Sequence, residues 1–352
     1  MNYNHAIKIG DKKIAMDKPC FIIAEAGVNH NGDLVLAKKL IDMAHEAGAD
    51  AIKFQTFKAE HLVTRDAEKA EYQEKNDKTT ATQYQMLKKL EFSKAGFKIL
   101  QSYAKKKGLI FLSSAFDDES LDLLTQLNVP AYKVPSGEIN NIPYLKTIAR
   151  NKKPVILSTG MSTMTEVGEA LTLLRQYGCK DIILLHCTTS YPAPLESVNL
   201  RVMDALHTTY GLPVGYSDHT EGIIVALAAV ARGACVIEKH ITLDRALPGP
   251  DHAASLEPRE LKQMICAIRD VEKALGVAEK KLELCEVSNR RLARKSIVAA
   301  CKIAKGGVLS ESMLTLKRPG TGIEPKFVQY LVGKRIKNTI KKDTVFTWDM
   351  IE

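Results

Sequence analysis

No stretch of this 352-residue sequence holds about 18 consecutive apolar residues, so no segment reads as a membrane-crossing helix. The opening segment MNYNHAIKIGDKKIAMDKPC has no apolar core of signal-peptide length, and a cytoplasmic protein is expected. No CxxC pair occurs. The seven cysteines (Cys20, Cys179, Cys187, Cys235, Cys266, Cys285 and Cys301) are odd in number and scattered, which fits reduced, mostly buried thiols better than a disulfide framework. The G-x-G-x-x-G spacing of a dinucleotide-binding turn is missing from EAGVNHNGD, the first strand-to-helix turn. Net charge is nearly absent up to residue 275, with 34 Lys and Arg against 33 Asp and Glu, whereas residues 276–352 hold 16 against 8. That asymmetry marks a compositional boundary near Gly276. The basic tail is a nucleic-acid partner, a solvated face or a lid over an anionic substrate, and with no aromatic stacking pattern beside the charge nucleic acid is the weakest of the three.

What is present is a repeated unit: a short apolar run rich in β-branched residues, a polar cluster, then an amphipathic helix. The runs are FIIAEAG, AIKFQTF, LIFLSSAF, AYKVPSG, PVILSTG, DIILLHCT, PVGYSDH and CVIEKHIT. Helical periodicity lies between them, as in LVLAKKLIDMAHEAG and MTEVGEALTLLRQYG, usually stopped by Gly or Asn. Eight βα units in about 250 residues predict a (β/α)8 TIM barrel of the α/β class. The expected organisation is an N-terminal hairpin turning at Gly10-Asp11 (1–20), the barrel (21–280), a linker (281–289) and a small, mostly β domain (290–352). The polar insertion from Lys58 to Glu91 is expected to be a functional loop after the second barrel strand.

In such a barrel, chemistry gathers at the C-terminal ends of the strands, and side-chain parity says which residues share a face. Within ACVIEKHITLD, Glu238 and His240 share parity with Val236. His219, in the preceding run, shares parity with Ser217. Adjacent strands lie about 4.8 Å apart, close enough for two imidazoles to hold one divalent cation and leave positions open to water and substrate. Asp218 or Glu238 could orient them. Lys133, Ser136 and Ser158 suit a phosphate, with Gly137 and Gly160 allowing close backbone approach. Thr189 and Tyr191 follow on the same rim, and His186 is read as a core residue. Glu25 is either a general base or the ion-pair partner of Lys53. Asp251, in GPDH, could hold a hydroxylated substrate.

The ordered motifs AEAGVNHNGD, IKFQTFKAE, YKVPSGEINNIPYL, ILSTGM, LLHCTTSYPAP, VGYSDHTEG, VIEKHITLD and GPDHAASLEP resemble the sialic acid synthase family over almost the whole chain. KRPGTGI resembles the motif of the antifreeze-like C-terminal domain that these enzymes carry. The resemblance implies condensation of phosphoenolpyruvate with N-acetylmannosamine to give N-acetylneuraminate and phosphate. The branch acting on 2,4-diacetamido-2,4,6-trideoxymannose (legionaminate) or on N-acetylmannosamine 6-phosphate is the alternative. It implies a metal on His219 and His240, Mn²⁺ before Mg²⁺ or Co²⁺, and Glu25 as acid/base. Lys53, Ser114, Lys133, Ser136, Ser158 and Thr189 would surround phosphoenolpyruvate. Gln55, Asn76, Tyr191 and Asp251 would hold the sugar, joined by Arg318 from the partner in a domain-swapped homodimer. FLSSAF departs from the family's Ser-Thr-Pro-Phe, and Thr189-Ser190 stands where relatives carry Asn or Glu. Two other readings compete: a metal-free Schiff-base aldolase using Lys53, Lys133 or Lys239, and a non-catalytic sugar- or ice-binding protein.

Overall fold

A computed structural model describes residues 6–76, 78 and 80–352. The chain divides into two compact units at Gly276/Val277.

The first unit opens with a hairpin, β1 (Ile7–Ile9) and β2 (Lys12–Ile14), turning at Gly10 with φ 61°. Eight parallel strands follow: β3 (Phe21–Gly27), β4 (Ala51–Thr56), β5 (Ile110–Ala115), β6 (Tyr132–Val134), β7 (Val155–Ser158), β8 (Ile182–Cys187), β9 (Val214–Asp218) and β10 (Val236–His240). They close into a barrel in chain order, with β10 pairing β3. The expected (β/α)8 architecture is therefore observed. Between the strands run α1 (Leu34–Ala47), α2 (Ala59–Leu62), α3 (Glu71–Asn76), α4 (Gln83–Leu90), α5 (Lys94–Lys106), α6 (Asp118–Gln126), α7 (Ile142–Arg150), α8 (Met164–Gln176), α9 (Val202–Tyr210) and α10 (Ile224–Ala231), and α11 (Pro258–Leu275) closes the unit. No helix among the described residues is long and apolar enough to cross a membrane.

Strand parity sorts the apolar residues into two cores. Ile22, Ala24, Ile52, Phe54, Leu184 and Ile237 point outward and pack against the helices. Phe21, Ile23, Ala51, Leu112, Ile156, Ile183, Leu185 and Val236 fill the barrel interior. Ile7, Ile9 and Ile14 of the hairpin join this inner core, and Lys12 Nζ donates to Asp50 Oδ1 (2.9 Å) just before β4. The hairpin thus stoppers the N-terminal end of the barrel and leaves the C-terminal end for the site.

The insertion expected as a loop from Lys58 to Glu91 carries α2, α3 and α4. Its Ala59, Met86, Leu87 and Leu90 cluster with Val28 and Phe57 from outside the insertion.

The second unit begins with a helical segment. The expected linker, 281–289, is in part helical: a 3-10 turn at Leu284–Glu286 leads into α12 (Val287–Ala293), because Glu283 and Glu286 cap that turn reciprocally. Beyond it β11 (Ser296–Ala299) pairs antiparallel with β12 (Leu314–Lys317), and isolated bridges such as Ile303–Ile340 and Ile336–Ile351 replace longer strands. Ile297, Leu309, Ile323, Leu331, Ile336 and Phe346 make its own small core, with α13 (Val328–Leu331) alongside.

Candidate active site at the barrel mouth

The inward parity that buries Ile23, Ala51, Leu112 and Val236 delivers polar side chains one or two steps later, at the C-terminal ends of the same strands. They line a cavity of about 400 Å³. Its floor is a network of two lysines and two carboxylates. Lys53 Nζ lies 2.9 Å from Glu25 Oε1 and 3.8 Å from Glu238 Oε2, and Lys133 Nζ lies 3.4 Å from Glu238 Oε1. Hydroxyls complete it: Lys53 donates to Ser114 (3.3 Å), Lys133 to Ser158 (2.8 Å), and Ser217 to Glu238 Oε1 (3.1 Å). Gln55 Nε2 reaches Glu25 Oε1 at 3.4 Å.

All four charged groups are buried, and each carboxylate keeps one oxygen, Glu25 Oε2 and Glu238 Oε2, without a hydrogen-bond partner. Burial outweighs Lys53 at Glu25 and pushes its carboxyl up to about 7. At Glu238 burial acts the same way, yet Lys133 and Lys53 together hold it below its ordinary value. One carboxyl is thereby poised to carry a proton near neutral pH while its neighbour stays ionised, the division of labour that acid/base sites use.

His219 and His240 meet as the parity reading expects, with ring centroids 5.4 Å apart. His219 donates through Nδ1 to the Thr188 carbonyl (2.8 Å), which leaves Nε2 with its lone pair. His240 Nδ1 is buried, has no hydrogen-bond partner and lies 3.7 Å from Asp251 Oδ2. Tyr191 lies against His219 with ring centroids 4.1 Å apart and the planes tilted by 31°, and meets His240 edge-on at 5.5 Å. Two buried imidazoles with free lone pairs, next to a carboxylate, are a donor set that fits a divalent cation. Among the described residues no three His, Cys, Asp or Glu side chains gather as a closed ligand shell. The protein would supply two ligands and leave the other positions open.

Ser136 and Gly160 form a second corner, where the Gly160 N–H donates to Ser136 Oγ (2.9 Å). A Cβ at Gly160 would run into Thr189 Oγ1 and Ser136 Oγ, so these side chains require a glycine there. Gly137 faces open space, where a Cβ would meet nothing within 4 Å.

The cavity therefore brings together Glu25, Lys53, Gln55, Ser114, Lys133, Ser136, Ser158, Thr189, Tyr191, His219, His240 and Asp251 of the expected residues. Asn76 does not line it; its side chain is used to hold the Pro250 carbonyl at 2.7 Å. Arg318 follows β12 on the second unit and is exposed there. Neither Asp218 nor Glu238 hydrogen-bonds a histidine ring. Asp218 pairs with Lys239, and Glu238 serves the lysines. Lys239 faces outward and is fully buried away from the cavity, which removes it as a Schiff-base nucleophile. His186 points outward as well, bonding the Val198 carbonyl at 2.6 Å, as a core residue should.

Sequence reasoning passed over Cys187, whose Sγ lies 3.7 Å from His219 Nδ1. Parity with Ile183 and Leu185 would have found it. It also passed over the apolar wall of Val28, Phe57, Leu62, Val63, Met86 and Leu87, for which no strand parity exists.

Comparison with known proteins places this geometry. The NeuB family profile matches residues 40–280, and the SAF domain profile matches residues 294–352. An N,N'-diacetyllegionaminic acid synthase of Campylobacter jejuni is 52% identical over 93% of this chain and 98% of its own length. One of Legionella pneumophila is 48% identical over 97% of this chain and 98% of its own. The crystal structure of N-acetylneuraminic acid synthetase from Leptospira borgpetersenii, in complex with citrate, superposes with a TM-score of 0.72 at 37% identity, covering 81% of this chain and 95% of that one. With a barrel carrying this constellation, followed by a small antiparallel-sheet unit, the chain belongs to the NeuB family and bears a C-terminal SAF domain.

Proposed function

We propose that this protein condenses phosphoenolpyruvate with the open-chain form of an N-acylated amino sugar, giving a nine-carbon 2-keto acid and phosphate. The observation that carries the reading is the buried cluster of Lys53, Lys133, Ser114, Ser158 and Glu25 facing the paired imidazoles of His219 and His240 across one cavity. It provides a place for an anionic phosphate ester beside a place for a cation. A divalent cation on His219 and His240, Mn²⁺ in the first instance, supplies Lewis-acid polarisation of the sugar carbonyl.

The chain's own residues do the rest. Lys53, Lys133 and the hydroxyls of Ser114, Ser136 and Ser158 hold the phosphate and carboxylate of phosphoenolpyruvate, in a cavity where such contacts are stronger than in water. Its methylene carbon forms the new bond to the aldehyde carbon, and water adds at C2. One proton of that water replaces the proton given to the aldehyde oxygen; the bond between C2 and the phosphate's bridging oxygen then breaks, and the ketone forms as the second proton leaves with phosphate. Glu25, with its free Oε2, holds the proton that the former aldehyde oxygen requires. Tyr191, Gln55 and Asp251 orient the sugar.

For the sugar, the apolar wall supports 2,4-diacetamido-2,4,6-trideoxymannose, whose C6 methyl and acetamido methyls offer apolar surface where a 6-phosphate would be desolvated without a partner. The names of the 52% and 48% identical relatives support the same choice over N-acetylmannosamine, the first expectation from the motifs. The test is product analysis by mass spectrometry after incubation with phosphoenolpyruvate and each of three sugars: the trideoxy sugar, N-acetylmannosamine and its 6-phosphate. A nine-carbon keto acid from the trideoxy sugar, lost on chelation and regained with Mn²⁺, is the expected result. Full activity after chelation, with covalent trapping by borohydride, would establish the Schiff-base route through Lys53 or Lys133 instead.

A further inference from the structure

Asp218 and Lys239 take no part in the cavity, yet each immediately precedes one of the paired histidines. They are register partners on β9 and β10, and that partnership is the last rung of the ladder between the two strands. Both side chains point outward, opposite to the histidines, and both are fully buried. Lys239 Nζ lies 2.9 Å from Asp218 Oδ2 and donates to the Thr220 carbonyl at 2.5 Å. Asp218 Oδ1 accepts from the Thr220 N–H (2.9 Å) and the Thr220 hydroxyl (2.7 Å).

The consequence lies in the backbone. His219 stands beyond the last rung, where no ladder bond to β10 holds it. The residues on both sides of it, Asp218 and Thr220, are nonetheless fastened to the single ammonium of Lys239, which precedes His240. A buried ion pair is weak as a source of stability, since apolar side chains of similar volume often do as well. Its hydrogen bonds are directional, however, and fix one arrangement of the groups they join.

We infer that Asp218 and Lys239, with Thr220, form a clamp that sets the separation of His219 and His240, and that they are positioning residues for the cation site. This rests on the metal reading given above. The test uses the full chain with Asp218→Asn and Lys239→Met combined, which removes both charges and leaves an oxygen to accept from Thr220. Thermal unfolding establishes that the variant is folded. Titration calorimetry then reads binding of Mn²⁺ and of phosphoenolpyruvate separately.

The expected result is Mn²⁺ affinity lowered about tenfold or more, the scale seen when groups supporting metal ligands are removed. Affinity for phosphoenolpyruvate, held mainly from β4 to β7, stays within about twofold, well under the ~1.4 kcal/mol that a tenfold change represents. Unchanged Mn²⁺ affinity in the folded variant overturns the inference, and so does equal weakening of both ligands, which would mean general loosening. Should the double variant fail to fold, Thr220→Val removes one bond to Asp218 and keeps the ion pair. It is expected to weaken Mn²⁺ binding about threefold, within the range of a single lost hydrogen bond, and no change there overturns the inference. Wild-type protein that takes up no Mn²⁺ overturns the metal reading itself, a result distinct from a variant that binds as well as wild type.

Discussion

At the scale of single residues, the balance between burial and neighbouring charge sets the ionisation of each group in the site. Glu25 is the clearest case, a carboxyl lifted to about 7 by burial although an ammonium lies 2.9 Å away. Glu25→Gln keeps its shape and removes its proton chemistry. Phosphate release should fall by about 10²–10⁴-fold, the usual yield of a positioned acid/base group, while Mn²⁺ binding measured by calorimetry stays unchanged. Wild-type turnover in that variant would remove Glu25 from the mechanism. Gly160 is a steric counterpart. Gly160→Ala would force apart Thr189 and Ser136, at about 1–3 kcal/mol for an overpacked contact, and steady-state kinetics should show the KM for phosphoenolpyruvate rising about tenfold with kcat less affected. These inward residues were legible because period-two alternation in buried strands is strict: once Val236 faces in, Glu238 and His240 must follow. The role of Lys239 was not legible from that pattern, since parity assigns a side but names no partner.

Among the structural elements, the segment α2–α4 over the mouth was the least readable. Its helices are short, and their apolar face is matched to a cavity rather than to a neighbouring strand, so no periodic signal announces it. If Leu87 lines the sugar's apolar end, Leu87→Asn should lower kcat/KM for the trideoxy sugar about tenfold relative to N-acetylmannosamine, the scale at which a pocket reads a methyl group. An unchanged ratio would place the sugar elsewhere.

The turn between β3 and α1 carries a different liability. His30 is fully enclosed, stacked on Phe92 at 4.1 Å, with Nδ1 accepting from the Gly32 N–H (3.0 Å). Burial lowers its pKa from 6.5 to about 3, so between those values the unfolded chain binds a proton that the folded chain refuses. Stability from this residue is therefore complete above pH 6.5 and is lost progressively as pH falls toward 3, at up to about 1.4 kcal/mol per pH unit. Urea unfolding at pH 7 and pH 5 should show His30→Phe narrowing the gap between the two conditions by about 2 kcal/mol.

Across the whole molecule, the two units have separate hydrophobic cores, and the step in charge density near Gly276 coincides with the division between them. That boundary was visible because the charge balance changes where one core gives way to the other. The helical start of the second unit was not visible, since two glutamates capping one short turn leave almost no periodic trace. We propose, as the family resemblance implies, that C-terminal units exchange between copies and that Arg318 serves its partner's barrel. Inactive Glu25→Gln and Arg318→Ala chains, unfolded and refolded together, should then recover phosphate release, because half of the mixed dimers' mouths are intact. No recovery would sink the exchange.

The hairpin of Ile7, Ile9 and Ile14 has a practical corollary. It is the cork of a tube, and on β4 only Ala51 stands between it and Lys53. A chain shortened to begin at Phe21 would keep every group that touches substrate, yet solvent could seep upward past Phe21, Ala51 and Leu112 toward Lys53. Wetted from below, Glu25 would lose the dryness that lifts its carboxyl, and an enzyme with an untouched mouth would fail through its base.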